Sequence, residues 1–222
     1  MESGQIMIGE KARSVAVIVW LLLLFAIGVS EGAAMGQRQS NGYAQGPTAQ
    51  IKETVDRTIR ILSDPILKAD AKKSLRHQLA REAILPRFDF NEMAKRSLGS
   101  HWRRLTAEEQ RKFVSVFSQF LEKIYITRID AFNGETFVYT GEHVDQDYAR
   151  VDSKVQIATG KEYSIRYQLH LVANDWKIYD VVVENISIVN NYRAQFSRLI
   201  DQSSYEQLVY RMEQKLTGKL TN

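Results

Sequence analysis

The sequence predicts an α+β protein in which helices from both ends of the chain pack around a curved antiparallel sheet of about four strands. Three observations lead to this fold class. Apolar residues in the first half recur at spacings of three and four, which is typical of amphipathic helices. From about Val151 the pattern changes to strict alternation, which is typical of half-buried strands. From about Asn190 the helical spacing returns.

Four helices are predicted before the sheet. The first two are amphipathic and end at prolines; their apolar positions are Ile51, Val55, Ile59 and Leu62 before Pro65, and Leu67, Ala71, Leu75, Leu79 and Ala83 before Pro86. A short third helix is expected at 91–98, with Gly99 as its terminator. Thr106 and Glu109 form a capping box that starts a long fourth helix, which runs to about Phe132. The wide apolar arc of this helix indicates burial on more than one side.

The strands are expected at 136–139, 151–157, 163–171 and 176–183, with apolar side chains on one face. Asp145 and Asp147 are placed at a solvated hairpin tip, and Thr159, Gly160 and Lys161 in the next hairpin. Two helices, at about 190–200 and 204–216, close the chain.

Residues 1–34 are typical of a secretory signal peptide, because Lys11 and Arg13 precede an unbroken apolar run and small residues follow it. The run counts roughly 15 residues, short of the ~20 that a bilayer-spanning helix needs. An uncleaved membrane anchor is the alternative. The polar, glycine-rich residues 35–47 predict a flexible leader, and residues 48–222 a single folded domain. The folded part is therefore expected to work outside the cytoplasm.

The chain contains 30 Lys and Arg, 26 Asp and Glu, and no cysteine. Without cysteine it has no disulfides, no lipid-modified cysteine and no cysteine-based metal site. An exported protein of this kind fits a Gram-negative periplasm. Its mildly basic, interspersed charge argues against a nucleic-acid partner, and no cofactor is predicted.

Catalytic signatures are mostly absent. The four histidines His77, His101, His143 and His170 lack the spacing of a metal site. Neither a Gly-x-Ser-x-Gly elbow nor a phosphate-binding glycine loop occurs in the sequence. No catalytic residue and no metal ligand are therefore predicted. His170 lies on the polar face of its strand, and an Asp–His or Asp–Tyr pair within a cone-shaped α+β fold stays open as an alternative.

Aromatic residues are abundant, with 10 Tyr, 9 Phe and 3 Trp. They either form an ordinary core or line an apolar cavity between the sheet and the helices that accepts an apolar ligand. In the second case the expected lining residues are Phe117, Phe120, Leu121 and Tyr125 on the long helix, facing Val155, Ile157, Ile165, Tyr167, Leu169, Val181 and Val183 on the sheet.

Four segments carry a family resemblance. They are Phe88-Asp89-Phe90 with Ser97-Leu98-Gly99 and Trp102, then Thr106, Gln110 and Phe113, then Trp176-Lys177-Ile178-Tyr179-Asp180-Val181, and finally SIVNNYRAQF from Ser187 to Phe196. Together they resemble the MlaC (toluene-tolerance) family of periplasmic phospholipid-binding proteins. One departure is Asn185, where the family usually has glycine; because Asn tolerates the left-handed backbone, the turn is expected to survive. Arg193 is expected to pair with a carboxylate such as Asp180 and so to hold the last helices to the sheet.

The resemblance implies an NTF2-like (nuclear-transport-factor-2-like) sheet and a single lipid-binding domain that carries a phospholipid in the periplasm. It also implies shuttling between an outer-membrane lipoprotein–porin complex and an inner-membrane ABC transporter complex, which maintains the lipid asymmetry of the outer membrane. Three alternatives stay open: a carrier of another membrane lipid such as a hopanoid, an enzyme on the same fold, and a lipid-free interaction module.

Overall fold

An antiparallel meander, with strands in the order β1-β2-β3-β4-β5, lies at the centre of the protein. The structure is a computed structural model that describes residues 45–126 and 129–218. The predicted signal peptide, 1–34, and all but the last residues of the predicted leader lie outside the described residues. The strands are β1 (Thr136–Asp145), β2 (Tyr148–Gln156), β3 (Glu162–Val172), β4 (Asp175–Val183) and β5 (Ile186–Ser187).

Six α-helices flank the sheet among the described residues. They are α1 (Pro47–Ser63), α2 (Lys73–Ile84), α3 (Phe90–Leu98) and α4 (Ala107–Ile126) before the sheet, and α5 (Ile188–Gln202) and α6 (Tyr205–Thr217) after it. The predicted α+β class is confirmed. The sheet has one strand more than expected, because the two residues of β5 pair with the end of β4.

Side-chain caps fix where several helices begin. The predicted capping box is present: Thr106 Oγ1 accepts the Glu109 N–H at 3.3 Å, and the Glu109 carboxylate accepts the Thr106 N–H at 2.7 Å. Asp89, Ser187 and Ser204 cap α3, α5 and α6 in the same way, each accepting a backbone N–H three residues on.

Residues with a left-handed backbone close the turns between strands. Asn174 (φ 68°) lies between β3 and β4, and Gly160 (φ 81°) between β2 and β3. The turn before β5 uses Glu184 and Asn185, at φ 48° and 66°. The expectation that Asn185 adopts this conformation is confirmed.

Two separate hydrophobic cores form. In the sheet core, the helices α1 and α2 cover the inward face of the sheet; its main members are Ile51, Val55, Ile59, Leu62, Ala80, Ile84, Val151, Val155, Tyr167, Leu169, Trp176 and Ile178. The helical core joins α3 to α6; its main members are Met93, Leu98, Phe113, Phe117, Phe120, Tyr192, Phe196, Leu208 and Met212. The partly buried Phe88 and Ile188 pack against both cores, which therefore meet at these two side chains.

The second helix is shorter than its apolar pattern predicts. It begins at Lys73 after a 3₁₀ turn, Asp70–Lys72, and not near Leu67. Leu75 is 40% exposed, so the expected apolar face is buried only near its end, at Ala80, Ala83 and Ile84. This helix is therefore attached to the rest of the protein by little apolar surface.

The expected pairing of Arg193 with Asp180 is wrong. Arg193 Nε donates instead to the Arg96 carbonyl at 2.8 Å, next to Gly99, and so joins α5 to α3. Asp180 accepts the Ser187 hydroxyl at 2.6 Å and the Val189 N–H at 3.0 Å. The carboxylate of Asp180 therefore caps the start of α5, where the helix dipole favours an anion.

An ion-pair cluster centred on Asp130 attaches α2. The side chains of Lys73, Arg76 and His77 lie 2.8, 2.5 and 2.9 Å from its carboxylate. Burial of Asp130 opposes ionisation, but the hydrogen bonds from Lys73, His77 and Arg76 prevail and hold its pKa well below the usual 3.8. Charged side chains therefore supply contacts to α2 that its short apolar face does not.

Replacement of Asp130 by asparagine should lower the free energy of unfolding at neutral pH by about 1 kcal/mol, the upper end for partly exposed ion pairs. Because the folded pKa lies below the unfolded one, this contribution is complete above pH 3.8 and is lost as the pH falls through the folded pKa. Denaturant titrations at neutral pH and below pH 3.8 measure it. The control Asp147→Asn, at the exposed hairpin tip, should change nothing; an equal loss in both variants would contradict the role of the cluster.

Candidate functional site

The space between α1 and the inward face of the sheet is the candidate site. Its free volume is about 10 Å³, the room of about one water molecule. The residues that line it are Ile51, Thr54, Val55, Thr58, Ile84, Arg87, Phe88, Tyr167 and Ile178. A 16-carbon acyl chain needs roughly 500 Å³ if each carbon takes the ~30 Å³ of a water molecule. The expected roomy cavity is thus filled, in this conformation, by side chains of α1 and α2.

The structure separates the predicted lining residues into two groups. Those on the sheet point into the sheet core: Val155, Ile165, Tyr167, Leu169, Val181 and Val183 are buried there, and Ile157 is partly buried against them. Phe117, Phe120 and Leu121 belong to the helical core. The side chain of Tyr125 lies outside the described residues. The expectation that α4 faces the sheet is corrected, because α1 and α2 occupy that position.

Arg87 fixes one end of the site. Its Nη1 donates to Gln50 Oε1 and Asp175 Oδ1, both at 2.6 Å, and to the Trp176 carbonyl at 2.9 Å. Its Nε donates to Thr54 Oγ1 at 3.1 Å. One side chain therefore ties α1 to the start of β4.

Polar side chains within the apolar interface were missed by sequence reasoning. Ser153 occupies an inward position between Val151 and Val155, and Tyr139 is its direct partner on β1. The sequence does indicate this polar position, because a serine on the apolar face breaks the alternation of apolar and polar residues in β2.

These hydroxyls share a strongly desolvated environment. Burial raises the pKa of Tyr139 far above 10.0, with further contributions from Tyr167 and Asp56. Burial also raises the pKa of Tyr167, and the nearby Ser153 hydroxyl offsets part of that rise. Both tyrosines stay neutral at physiological pH and can act as hydrogen-bond donors.

An Asp–His pair does exist, but on the opposite face of the sheet. His170 Nε2 lies 3.0 Å from Asp89 Oδ2, while Asp89 Oδ1 caps α3. The His170 ring packs between Tyr148 and Tyr179, at centroid distances of 6.4 and 5.6 Å. These contacts connect α3 to β3 and account for both side chains structurally.

A second cluster, of His101, Ser197 and Asp201, also lacks the geometry of a catalytic triad. His101 Nε2 lies 3.4 Å from Ser197 Oγ and 3.7 Å from Asp201 Oδ1, so the serine and the carboxylate share one ring nitrogen. A triad needs the carboxylate on the other nitrogen, where it orients the base. Ser197 donates to Asp201 instead, at 3.2 Å.

Within residues 45–126 and 129–218, no group of three or more His, Cys, Asp or Glu side chains is arranged to hold a metal ion. In the same part of the chain, no helix has both the length and the hydropathy to cross a membrane.

The sequence profile of one family, described as MlaC protein, matches residues 52–214, which cover most of the chain. The chain belongs to the MlaC family. This membership confirms the resemblance found in the four sequence segments.

Two curated relatives carry the same family identity. The intermembrane phospholipid transport system binding protein MlaC of Haemophilus influenzae is 21% identical over 141 residues, which cover 61% of this chain and 66% of that protein. The toluene tolerance protein ttg2D of Pseudomonas putida is 27% identical over 96 residues, which cover 43% and 45%. The matched part thus spans just under two thirds of the first relative and less than half of the second.

A solved structure extends the likeness over the whole fold. The phospholipid-binding protein from Ralstonia solanacearum, determined in complex with a phospholipid, is 25% identical with a TM-score of 0.65. The likeness covers 77% of this chain and 96% of that one.

Replacement of Arg87 by methionine should lower the free energy of unfolding by about 2–3 kcal/mol, since it removes several hydrogen bonds from a charged donor while keeping the apolar stem. Denaturant titration measures the loss. The control Arg103→Met removes an exposed guanidinium and should cost less than about 0.5 kcal/mol. Equal stability of the two variants would show that Arg87 does not anchor α1.

Proposed function

We propose that this protein is a periplasmic carrier that holds the acyl chains of a phospholipid between α1 and α2 on one side and the inward face of the sheet on the other. The observation that carries the proposal is the likeness, over 96% of its length, to a solved protein that binds a phospholipid. Membership of the MlaC family supports the same function.

Acyl chains can enter only if α1 and α2 move away from the sheet, because the free volume there is about 10 Å³. The two cores make this movement feasible. The helical core does not include α1 or α2, and α3 and α5 stay joined to the sheet through Asp89 and Asp180. We therefore assign the sheet and α3–α6 to a fixed unit and α1–α2 to a movable cover.

The lining residues follow from this division. The sheet side consists of Val155, Ile157, Ile165, Tyr167, Leu169, Val181 and Val183, as the sequence predicts. On the helical side, Ile51 and Val55 of α1 and Ile84 of α2 take the place given to Phe117, Phe120 and Leu121.

Burial of acyl chains supplies the binding free energy. At ~0.8 kcal/mol per methylene, two chains of about 16 carbons gain about 25 kcal/mol on leaving water. A bilayer offers nearly the same gain, so transfer between carrier and membrane is close to thermoneutral. The direction of transport must then come from the partners.

Those partners are, in this proposal, an outer-membrane lipoprotein–porin complex and an inner-membrane ABC transporter complex, between which the carrier maintains outer-membrane lipid asymmetry. The name of the Haemophilus relative, which places it in an intermembrane phospholipid transport system, supports this assignment. Carriage needs no bond to be made or broken, so the proposal assigns no catalytic residue. A cleaved signal peptide at 1–34 would deliver the carrier to the periplasm.

Organic extraction and mass spectrometry of the protein purified from the periplasm test the proposal. We expect a diacyl phospholipid in about one-to-one ratio with the protein. If a hopanoid is extracted instead, the protein is a carrier of a different membrane lipid. A small polar metabolite would favour an enzyme, and the absence of any bound molecule an interaction module; either result would contradict the carrier.

Replacement of Val155 by aspartate should abolish lipid retention, because it places a charge beneath the acyl chains. Gln156→Asp is the matched control, since it adds the same charge on the outward face of the same strand. Ile157→Glu, at a partly buried position, serves if the first variant fails to fold. Lipid that still co-purifies with folded Val155→Asp or Ile157→Glu would disprove the assignment of the sheet face.

A further inference from the structure

Four polar groups meet in the middle of the apolar interface between α1 and the sheet. Tyr139 on β1 and Ser153 on β2 are direct cross-strand partners, and Tyr167 lies on the inward face of β3. Asp56 on α1 lies close enough to Tyr139 to raise its pKa. Ser153 is 2% exposed and Tyr167 is completely buried.

None of the three hydroxyls, nor Asp56 Oδ1, makes a hydrogen bond of regular geometry among the described residues, although Ser153 lies close enough to Tyr167 to offset part of the rise in the Tyr167 pKa. An unpaired buried hydroxyl costs stability, and phenylalanine or alanine would fill the same space without that cost. A side chain kept at such a cost indicates a function that the closed conformation does not display. Tyr167 lines the space proposed for the lipid, and Ser153 and Tyr139 lie beside it on the same inward face of the sheet.

This cluster lies one side chain below the protein surface. Asp56 also lines an open groove of about 430 Å³ along α1, together with Gln45, Ala49, Lys52, Glu53 and Arg60. Lys52 Nζ lies 2.5 Å from Asp56 Oδ2 and balances its charge. All of these residues lie on α1 or just before it, so the groove is a shallow, open surface of α1 that meets the buried hydroxyls only through Asp56.

The order of groups from the surface inward matches the chemistry of a glycerophospholipid. The cations Lys52 and Arg60 are exposed on α1, where a phosphate would meet them, whereas the hydroxyls are buried beneath α1 among the apolar side chains of β2 and β3. In a diacyl lipid the groups one layer below the phosphate are the ester carbonyls, which accept hydrogen bonds but donate none.

We infer that Tyr139, Ser153 and Tyr167 form a subsite that donates hydrogen bonds to the ester carbonyls of the bound lipid. The inference rests on the proposed carrier function and deepens it. The subsite selects ester-linked glycerolipids over lipids that lack a carbonyl at this depth, such as dialkyl-ether lipids and hopanoids. Binding would satisfy hydroxyls that the closed conformation leaves unpaired.

The test compares two lipids that differ only in this linkage. Protein produced from the full-length chain is stripped of lipid and incubated with vesicles of dihexadecanoyl phosphatidylglycerol or of its dihexadecyl-ether analogue. We expect the unmodified protein to bind the ester lipid about tenfold more tightly, as one or two additional net hydrogen bonds imply.

In Tyr167→Phe and in the double variant Tyr139→Phe/Ser153→Ala, the affinity for the ester lipid should fall to nearly that for the ether lipid. The affinity for the ether lipid should not change. Thermal unfolding of the lipid-stripped Tyr167→Phe protein should occur at or above the temperature of the unmodified protein, because an unpaired hydroxyl is removed. Tyr148→Phe, on the outward face and 50% exposed, is the control and should keep the full preference.

Equal binding of both lipids by the unmodified protein would overturn the ester subsite while leaving the carrier function intact. Failure to bind either lipid would overturn the carrier function itself. A lower unfolding temperature for Tyr167→Phe would show that the hydroxyl has a partner in the closed protein, such as a buried water, and would also overturn the inference.

Discussion

The inward face of the sheet is a continuous apolar surface that must stay out of water, and most of the architecture follows from this constraint. Val151, Val155, Tyr167, Leu169 and Val183 are each completely buried. At about 25 cal/mol per Å² of apolar surface, exposing such a face costs more than the stability of an ordinary domain. Something apolar must therefore always cover it, whether α1 and α2 or the acyl chains of a lipid.

The two cores are held together differently, and this difference separates the fixed unit from the movable cover. The helical core holds α3 to α6 together through tightly packed aromatic rings, such as Phe117 against Tyr192 at 5.8 Å. The cover is held at its ends by polar contacts, of Arg87 with Gln50 and of Asp130 with the cations of α2. When the cover moves, water can take the place of these polar partners, whereas nothing in water replaces the aromatic packing of the helical core.

Much of the fold could be predicted from the sequence, because the periods of its apolar residues are strong. The capping box at Thr106 and Glu109, the hairpin turns and the left-handed Asn185 follow from local chemistry and are all present. The predicted start of α2 failed, since its apolar spacing continues through residues that remain exposed, such as Leu75.

The site was predicted only in part, for a physical reason. Alternation shows which side chains of a strand share a face, so the buried sheet residues were found. It does not show which helix covers that face. The most apolar helix, α4, buries Phe117 and Phe120 against other helices, while the less apolar α1 and α2 cover the sheet. Polar residues at positions of the apolar face, such as Ser153, would have indicated the buried hydroxyls, but they were not used.

The movement of the cover is the central claim, and the distance between α1 and the sheet tests it most directly. The chain has no cysteine of its own, so cysteines introduced at Glu53 and Lys154 would be the only sites that take a thiol-reactive spin label. Glu53 is exposed on α1, and Lys154 is exposed on the outward face of β2. On loading with phosphatidylglycerol, this distance should lengthen by about 4 Å or more, one layer of carbon contacts. A pair at Arg111 and Arg198, within the helical unit, should stay unchanged. Stoichiometric lipid binding with no change at Glu53 and Lys154 would contradict the account.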